Sequence, residues 1–260
     1  MSYRTAGDGP LLVQIHGIGT GHRNFDLLTP HLGAWFRVFD IDLPGYGGSA
    51  PVDGKRSVET LASAVAEFIE STADGPVFLH GTSFGGLVAM SLAATRPDLV
   101  QRLVVTCSFG RLDNAMAAMQ RSWESAAAAG PELLAEVTSV QGFSRGFWDR
   151  DDARDIQNAF VAAMATSSPD DFVRDLPLMA VVDLTDVLGD VSVPTLLLGA
   201  EEDQMTPVHT APSGLGMTEL ARLIPNARLE VLEGCGHFIS IEKAAETAHA
   251  IHRFLSEPST

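Results

Sequence analysis

The sequence predicts an α/β fold in which a mostly parallel sheet carries helices on both faces. Two observations carry that reading. Short apolar runs bounded by turn residues alternate with longer segments of helical periodicity, and one Gly-rich turn, Gly81-Thr82-Ser83-Phe84-Gly85, joins such a run directly to a helical segment. At 260 residues, with 45% hydrophobic and 19% charged residues, the chain suits one large soluble domain.

The first strand is expected over Leu11–His16, followed by His16-Gly17-Ile18-Gly19 and a helical segment from near Arg23. The second spans Phe36–Asp40 and leads into the Gly-rich stretch Asp42–Ser49. Val58, Leu61, Ala62, Val65, Phe68 and Ile69 recur at helical spacing, so that segment packs one face on the sheet. The strand Pro76–His80 runs into the Ser83 turn and then the helical pattern Leu87–Thr95. Further strands are expected at Arg102–Cys107, Thr195–Leu198 and Arg228–Leu232, with a closing helix over Ile241–Leu255.

Residues 112–190 break this alternation. The segment is rich in Ala, Met and acidic residues and shows helical groupings such as Ile156, Phe160 and Val161. It reads as an inserted helical cap, leaving 1–111 and 191–260 as the core.

The balance of 33 acidic against 17 basic residues, a net charge of −16, repels phosphate backbones and anionic membrane surfaces, so neither nucleic acid nor membrane is expected as a partner. A small molecule is the expected ligand. Arginine outnumbers lysine, which is confined to Lys55 and Lys243, and alanine is abundant; this is the composition of a GC-rich bacterial genome. The first residues lack an apolar run of signal-peptide length, and a cytoplasmic location is expected. Cys107 and Cys235 are too few for a disulfide framework and are read as reduced thiols.

A G-x-S-x-G sequence between a strand and a helix is a nucleophile elbow, a strained turn that lifts the serine hydroxyl clear of the sheet. A serine nucleophile needs a base, and the base needs a partner that holds its tautomer. The loop after the strand Thr195–Leu198 offers Glu201, Glu202 and Asp203. Asp203 is taken as the acid, the two glutamates as solvated loop charges. After the last strand, Glu233-Gly234-Cys235-Gly236-His237-Phe238 holds His237 on a Gly-rich turn at a strand's C-terminal end, where such sheets bind ligands; it is the expected base. His209, His249 and His252 read as surface residues. In sheets that carry such an elbow, oxyanion donors come from the backbone N–H after the nucleophile and from the loop after an earlier strand. Here they are Phe84 and Ile18, with His16 and Gly17 beside them as pocket residues.

These motifs, together with Asp42-Leu43-Pro44-Gly45-Tyr46-Gly47-Gly48-Ser49, resemble those of the cap-bearing α/β-hydrolases across nearly the whole chain. Within that family the cap and the stretch from Asp183 to Thr195 are most similar to enol-lactone hydrolases and related carboxylesterases. The resemblance implies a serine hydrolase cleaving a small ester or lactone, with no metal or organic cofactor. Haloalkane dehalogenases and epoxide hydrolases of this fold use a carboxylate nucleophile, which position 83 lacks. Carbon–carbon bond hydrolases of meta-cleavage products, cofactor-free dioxygenases and a ligand receptor on the same fold are the alternatives. For the substrate pocket, Trp123, Phe143, Phe147 and Trp148 are candidate linings, and Arg121 and Arg145 are weighed as a carboxylate clamp against plain surface residues. The family has one or two strands before the equivalent of Leu11, and only Met1–Gly9 precedes it here, so a shorter sheet is expected.

Overall fold

A computed structural model describes residues 1–166 and 169–258, with side chains described outside 163–170. Seven strands form one sheet in the order β1-β3-β2-β4-β5-β6-β7. They are β1 (Tyr3–Ala6), β2 (Leu11–Ile15), β3 (Arg37–Ile41), β4 (Val77–Thr82), β5 (Val100–Thr106), β6 (Thr195–Ala200) and β7 (Ala227–Leu232). All neighbours are parallel except β1, which runs antiparallel to β3 with Tyr3 opposite Ile41.

Side chains alternate between the faces of a strand, and here both faces are covered. Val13, Ile15, Leu79, Leu103, Val105 and Leu197 pack with α2 (Val58–Thr72) and α3 (Phe84–Thr95). Their sequence neighbours Leu12, Phe78, Val104, Leu196 and Leu198 face the other way. They meet α1 (Thr29–Leu32) and α11 (Ala244–Leu255) through Leu32, Ile251, Phe254 and Leu255. Helix α2 starts where Ser57 and Thr60 exchange side-chain and backbone hydrogen bonds, a reciprocal cap on two otherwise unpaired N–H groups.

A polar ladder crosses the covered sheet. Arg4 on β1 donates to Asp40 on β3, and Gln14 on β2 donates to Asp40 at 2.7 Å. The Gln14 amide oxygen accepts from His80 Nδ1 on β4 (2.7 Å), and His80 Nε2 meets the hydroxyl of Thr106 on β5 (3.0 Å). Five strands therefore contribute one polar group each, and every buried member has a partner, which is the condition under which burial of such groups is tolerated.

Between β5 and β6 lie α4 (Asn114–Ala129), α5 (Pro131–Gly142), α6 (Arg145–Trp148), α7 (Ala153–Thr166) and α8 (Pro169–Val181). Trp123, Leu134, Phe172, Leu176 and Met179 from these helices join the main core. Helix α8 is fastened to the core by a buried carboxylate. Asp175 accepts from the Tyr46 hydroxyl at 2.7 Å and from Nε and Nη2 of the Arg56 guanidinium at 2.5 and 2.7 Å.

Two expectations change. The sheet is not cut short before Leu11: Tyr3–Ala6 supplies an edge strand, which escaped notice because its residues alternate between exposed and half-buried and form no apolar run. The closing helix is broken, into α10 (Ile239–Glu242) and α11, with Lys243 between them out of the helical conformation, φ −138° and ψ 49°. The remaining helix, α9 (Met217–Leu223), leads into β7. Among the described residues, no helix is long and apolar enough to cross a membrane.

Candidate active site

Ser83 stands between β4 and α3 with φ 53° and ψ −120°, a conformation that costs a non-glycine residue energy and persists only where its surroundings enforce it. The enforcement is visible. Its N–H donates to the Thr106 carbonyl (2.9 Å), and its own carbonyl accepts from Gly86 N–H (2.9 Å) and from the Ser108 hydroxyl (2.7 Å). The flanking glycines are sterically required: a Cβ on Gly85 would sit 2.3 Å from the Ile15 carbonyl oxygen, and one on Gly81 would sit 2.4 Å from the Gly85 carbonyl oxygen.

The loop after β6 places Asp203 in a fully donated environment. Oδ1 accepts from the N–H groups of Met205 (2.8 Å) and Thr206 (2.9 Å), while Oδ2 accepts from the Thr206 hydroxyl (2.7 Å) and from His237 Nδ1 (2.9 Å). Burial opposes its ionisation, but the facing His237 and these hydrogen bonds outweigh it and hold the carboxyl below its ordinary range. With Nδ1–H committed to Asp203, His237 presents Nε2 as an acceptor.

His237 itself rides on the turn after β7. Glu242 braces that turn, accepting from Gly236 N–H (3.0 Å) and from the backbone and hydroxyl of Ser144 (3.2 and 2.5 Å). Asp203, Ser83 and His237 thus come from the ends of three different strands. Ser83 and His237 line one cavity, and no hydrogen bond joins them among the described residues.

The cavity has a volume of about 60 Å³. Gly17, Ile18, Thr20 and Asn24 form its wall on the β2 side, and Trp123, Phe160, Phe172 and Met179 cover it from the inserted helices. Neither Ile18 N–H nor Phe84 N–H has an acceptor among the described residues. Gly17 N–H, in contrast, donates to Asn24 (3.3 Å) and Gly19 N–H to Tyr46 (3.5 Å).

Several expected linings stand elsewhere. His16 is fully buried behind the loop: its Nδ1 bonds the Gly17 carbonyl (2.6 Å) and its Nε2 accepts from Leu43 N–H (3.1 Å). Phe143 and Phe147 stack on each other at 3.9 Å, with Trp148 packed edge-on against both. They form a cluster of their own, with Phe143 packed behind Phe238, which does line the cavity. Arg121 and Arg145 are exposed and outside the lining. Glu202 accepts from Arg145 N–H and Glu201 from Gly234 N–H, so both glutamates brace loops. His209 is exposed, while His252 stacks on Trp35 at 4.2 Å.

Thr206 was missed by sequence reasoning, although it lies three residues after Asp203. So was Cys107, whose thiol lies within 4.8 Å of donor atoms of Asp203 and His237. This is the three-donor group found among the described residues, but an ion there would have to break the Asp203–His237 hydrogen bond. Both cysteines are buried and unpaired.

A family profile described as alpha/beta hydrolase fold matches residues 10–244. The chain belongs to the alpha/beta hydrolase fold family. Relatives named as methyl ester esterases match over nine-tenths of its length, and the chain is an enzyme of the ester-hydrolase kind. It is similar to the pimeloyl-[acyl-carrier protein] methyl ester esterases of Neisseria meningitidis serogroup C (33% identity, 92% of this chain and 90% of the relative) and Aliivibrio salmonicida (26%, 97% and 95%). The fold is shared with the enol-lactonase from Burkholderia xenovorans LB400, with a TM-score of 0.83 at 22% identity over 98% of this chain and 96% of that one.

Proposed function

We propose that this hydrolase cleaves an uncharged carboxylic ester through an acyl-enzyme on Ser83. The observation that carries the reading is the buried Asp203–His237 hydrogen bond of 2.9 Å, set on the same cavity as a serine in a strained elbow. Ser83 Oγ attacks the ester carbonyl carbon as its proton passes to His237 Nε2. Asp203 orients the ring and stabilises the imidazolium. The N–H groups of Ile18 and Phe84 receive the oxyanion, a contribution worth about 3 kcal/mol per donor in comparable sites. Collapse expels the alcohol with the proton from His237, and a water activated by the same histidine releases the acid and restores the serine.

Among the described residues, the cavity lining contains no lysine or arginine. A substrate carboxylate would therefore be buried there without a lysine or arginine counter-charge, at a cost of several kcal/mol, which favours neutral esters over acid-bearing lactones. The inserted helices act in this reading as a cap that selects the substrate. Steady-state assay with p-nitrophenyl acetate tests it, alongside a dienone ring-fission product and a quinolone under oxygen. Turnover of the acetate that falls about 10⁶-fold in Ser83→Ala is expected; turnover only of the dienone or the quinolone, or acetate turnover undiminished in the variant, rejects it.

A further inference from the structure

A second hollow adjoins the catalytic cavity. It has a volume of about 300 Å³, and its lining is mostly apolar, with Leu27, Ile156, Ala159, Phe160, Phe238 and Ile241, together with the charged Arg23 and Asp26. Thr20, Asn24, Phe160, Phe238 and Ser240 belong to both hollows. Phe160 and Phe238, with ring centroids 4.9 Å apart, are thus the aromatic part of the shared wall. Of its two charged lining residues, Asp26 is already held in an ion pair with Arg4 and Arg23 is exposed; Leu27 stays half exposed at 51%.

Size sets the argument. An inner cavity of about 60 Å³ is small, which suits the reacting carbonyl and one small substituent. The rest of any larger ester has to leave that chamber, and the adjoining hollow offers apolar walls in contact with the same two phenylalanines. Leu27 and Ile241 belong to the core while Ile156, Ala159 and Phe160 belong to α7, so the hollow lies between the core and the inserted helices.

Building on the serine-esterase reading, we propose that this outer groove is a binding subsite for an extended, uncharged alkyl chain of the substrate, the small half of the ester being held inside beside Ser83. The chain passes Phe160 and Phe238 and lies along Leu27 and Ile156. The preferred substrates are then esters with one small and one long aliphatic half, and lengthening the long half removes more apolar surface from water.

The test is a pair of chain-length series, p-nitrophenyl acetate through octanoate for the acyl half and methyl through octyl acetate for the alcohol half. In one of the two series kcat/KM is expected to rise roughly two- to fourfold per methylene over the first few carbons. The same series identifies which half occupies the groove. Leu27→Glu and Ile156→Glu place a charge on the chain's path, and each is expected to lower the octyl-to-methyl or octanoate-to-acetate ratio of kcat/KM at least tenfold. Val181→Glu, at an exposed position on α8 outside both hollows, should leave that ratio unchanged. Circular dichroism melts confirm that each variant is folded, and Leu27 and Ile156 serve as independent probes should one fail. Flat or falling kcat/KM in both series, with acetate esters turned over, overturns the groove alone, as does a ratio insensitive to both groove substitutions. No turnover in either series strikes the parent esterase reading instead.

Discussion

At the scale of single residues, the pair Asp203 and His237 carries more of the account than Ser83 alone. A serine on a tight turn is only a raised hydroxyl, whereas a histidine whose Nδ1–H is held by a buried, fourfold-donated carboxylate has one free nitrogen and one tautomer. Replacing Asp203 by Asn lets the amide present a donor to Nδ1 and favours the wrong tautomer. A kcat loss of about 10⁴ with the fold intact is expected, read by stopped assays beside a thermal melt; a loss under tenfold contradicts the assignment. The acid and the base were legible because each closes a strand in a Gly- or acid-rich loop. The support given by Glu242 was not, because its hydrogen bonds to Ser144, 98 residues away, leave no local pattern in a chain; Thr206, three residues after Asp203, was within local reach.

At the scale of elements, the strands were readable from their continuous apolar runs, and the elbow from its glycines, since both signals are local. The edge strand β1 was not, because half of each residue pair faces solvent. Nor was the choice of cavity lining among the inserted helices. Phe143, Phe147 and Phe160 look alike in sequence, and only packing puts the first two into a stack of their own and the third on the cavity. Helix α8 shows what such packing depends on. It carries Phe172 and Met179 to the cavity, and Asp175 ties it to Arg56 and Tyr46. Changing Asp175 to Asn leaves the Arg56 cation without its buried counter-charge, a loss of roughly 3 kcal/mol, so the Tm is expected to fall by about 5–10 °C. Amide exchange should quicken in 171–181 before it does in the sheet. An unchanged Tm would show that this ion pair does not hold the helix.

At the scale of the whole molecule, the sheet brings together side chains from the ends of β4, β6 and β7 while burying a polar ladder across five strands. Two buried histidines, His80 in that ladder and His16 behind the loop after β2, give the fold a pH signature. Burial pulls His80 down to about 3 and His16 down to about 4, so both stay neutral in the folded protein, whereas the unfolded chain takes up protons near 6.5. Their contribution is therefore fully present above pH 6.5 and is lost as the pH falls toward 4, roughly 3 kcal/mol for His16 alone. Urea midpoints should drop steadily from pH 7 to pH 4.5, and His80→Gln should flatten the slope; a midpoint constant over that range contradicts it. The central claim is that this architecture makes one serine out of the many in the chain a nucleophile. Intact-protein mass spectrometry after treatment with a fluorophosphonate, followed by peptide mapping, tests it most directly. A single adduct on Ser83, absent from Ser83→Ala and formed far more slowly in His237→Ala, is the predicted result; an adduct on another residue, or labelling that persists in Ser83→Ala, would contradict it.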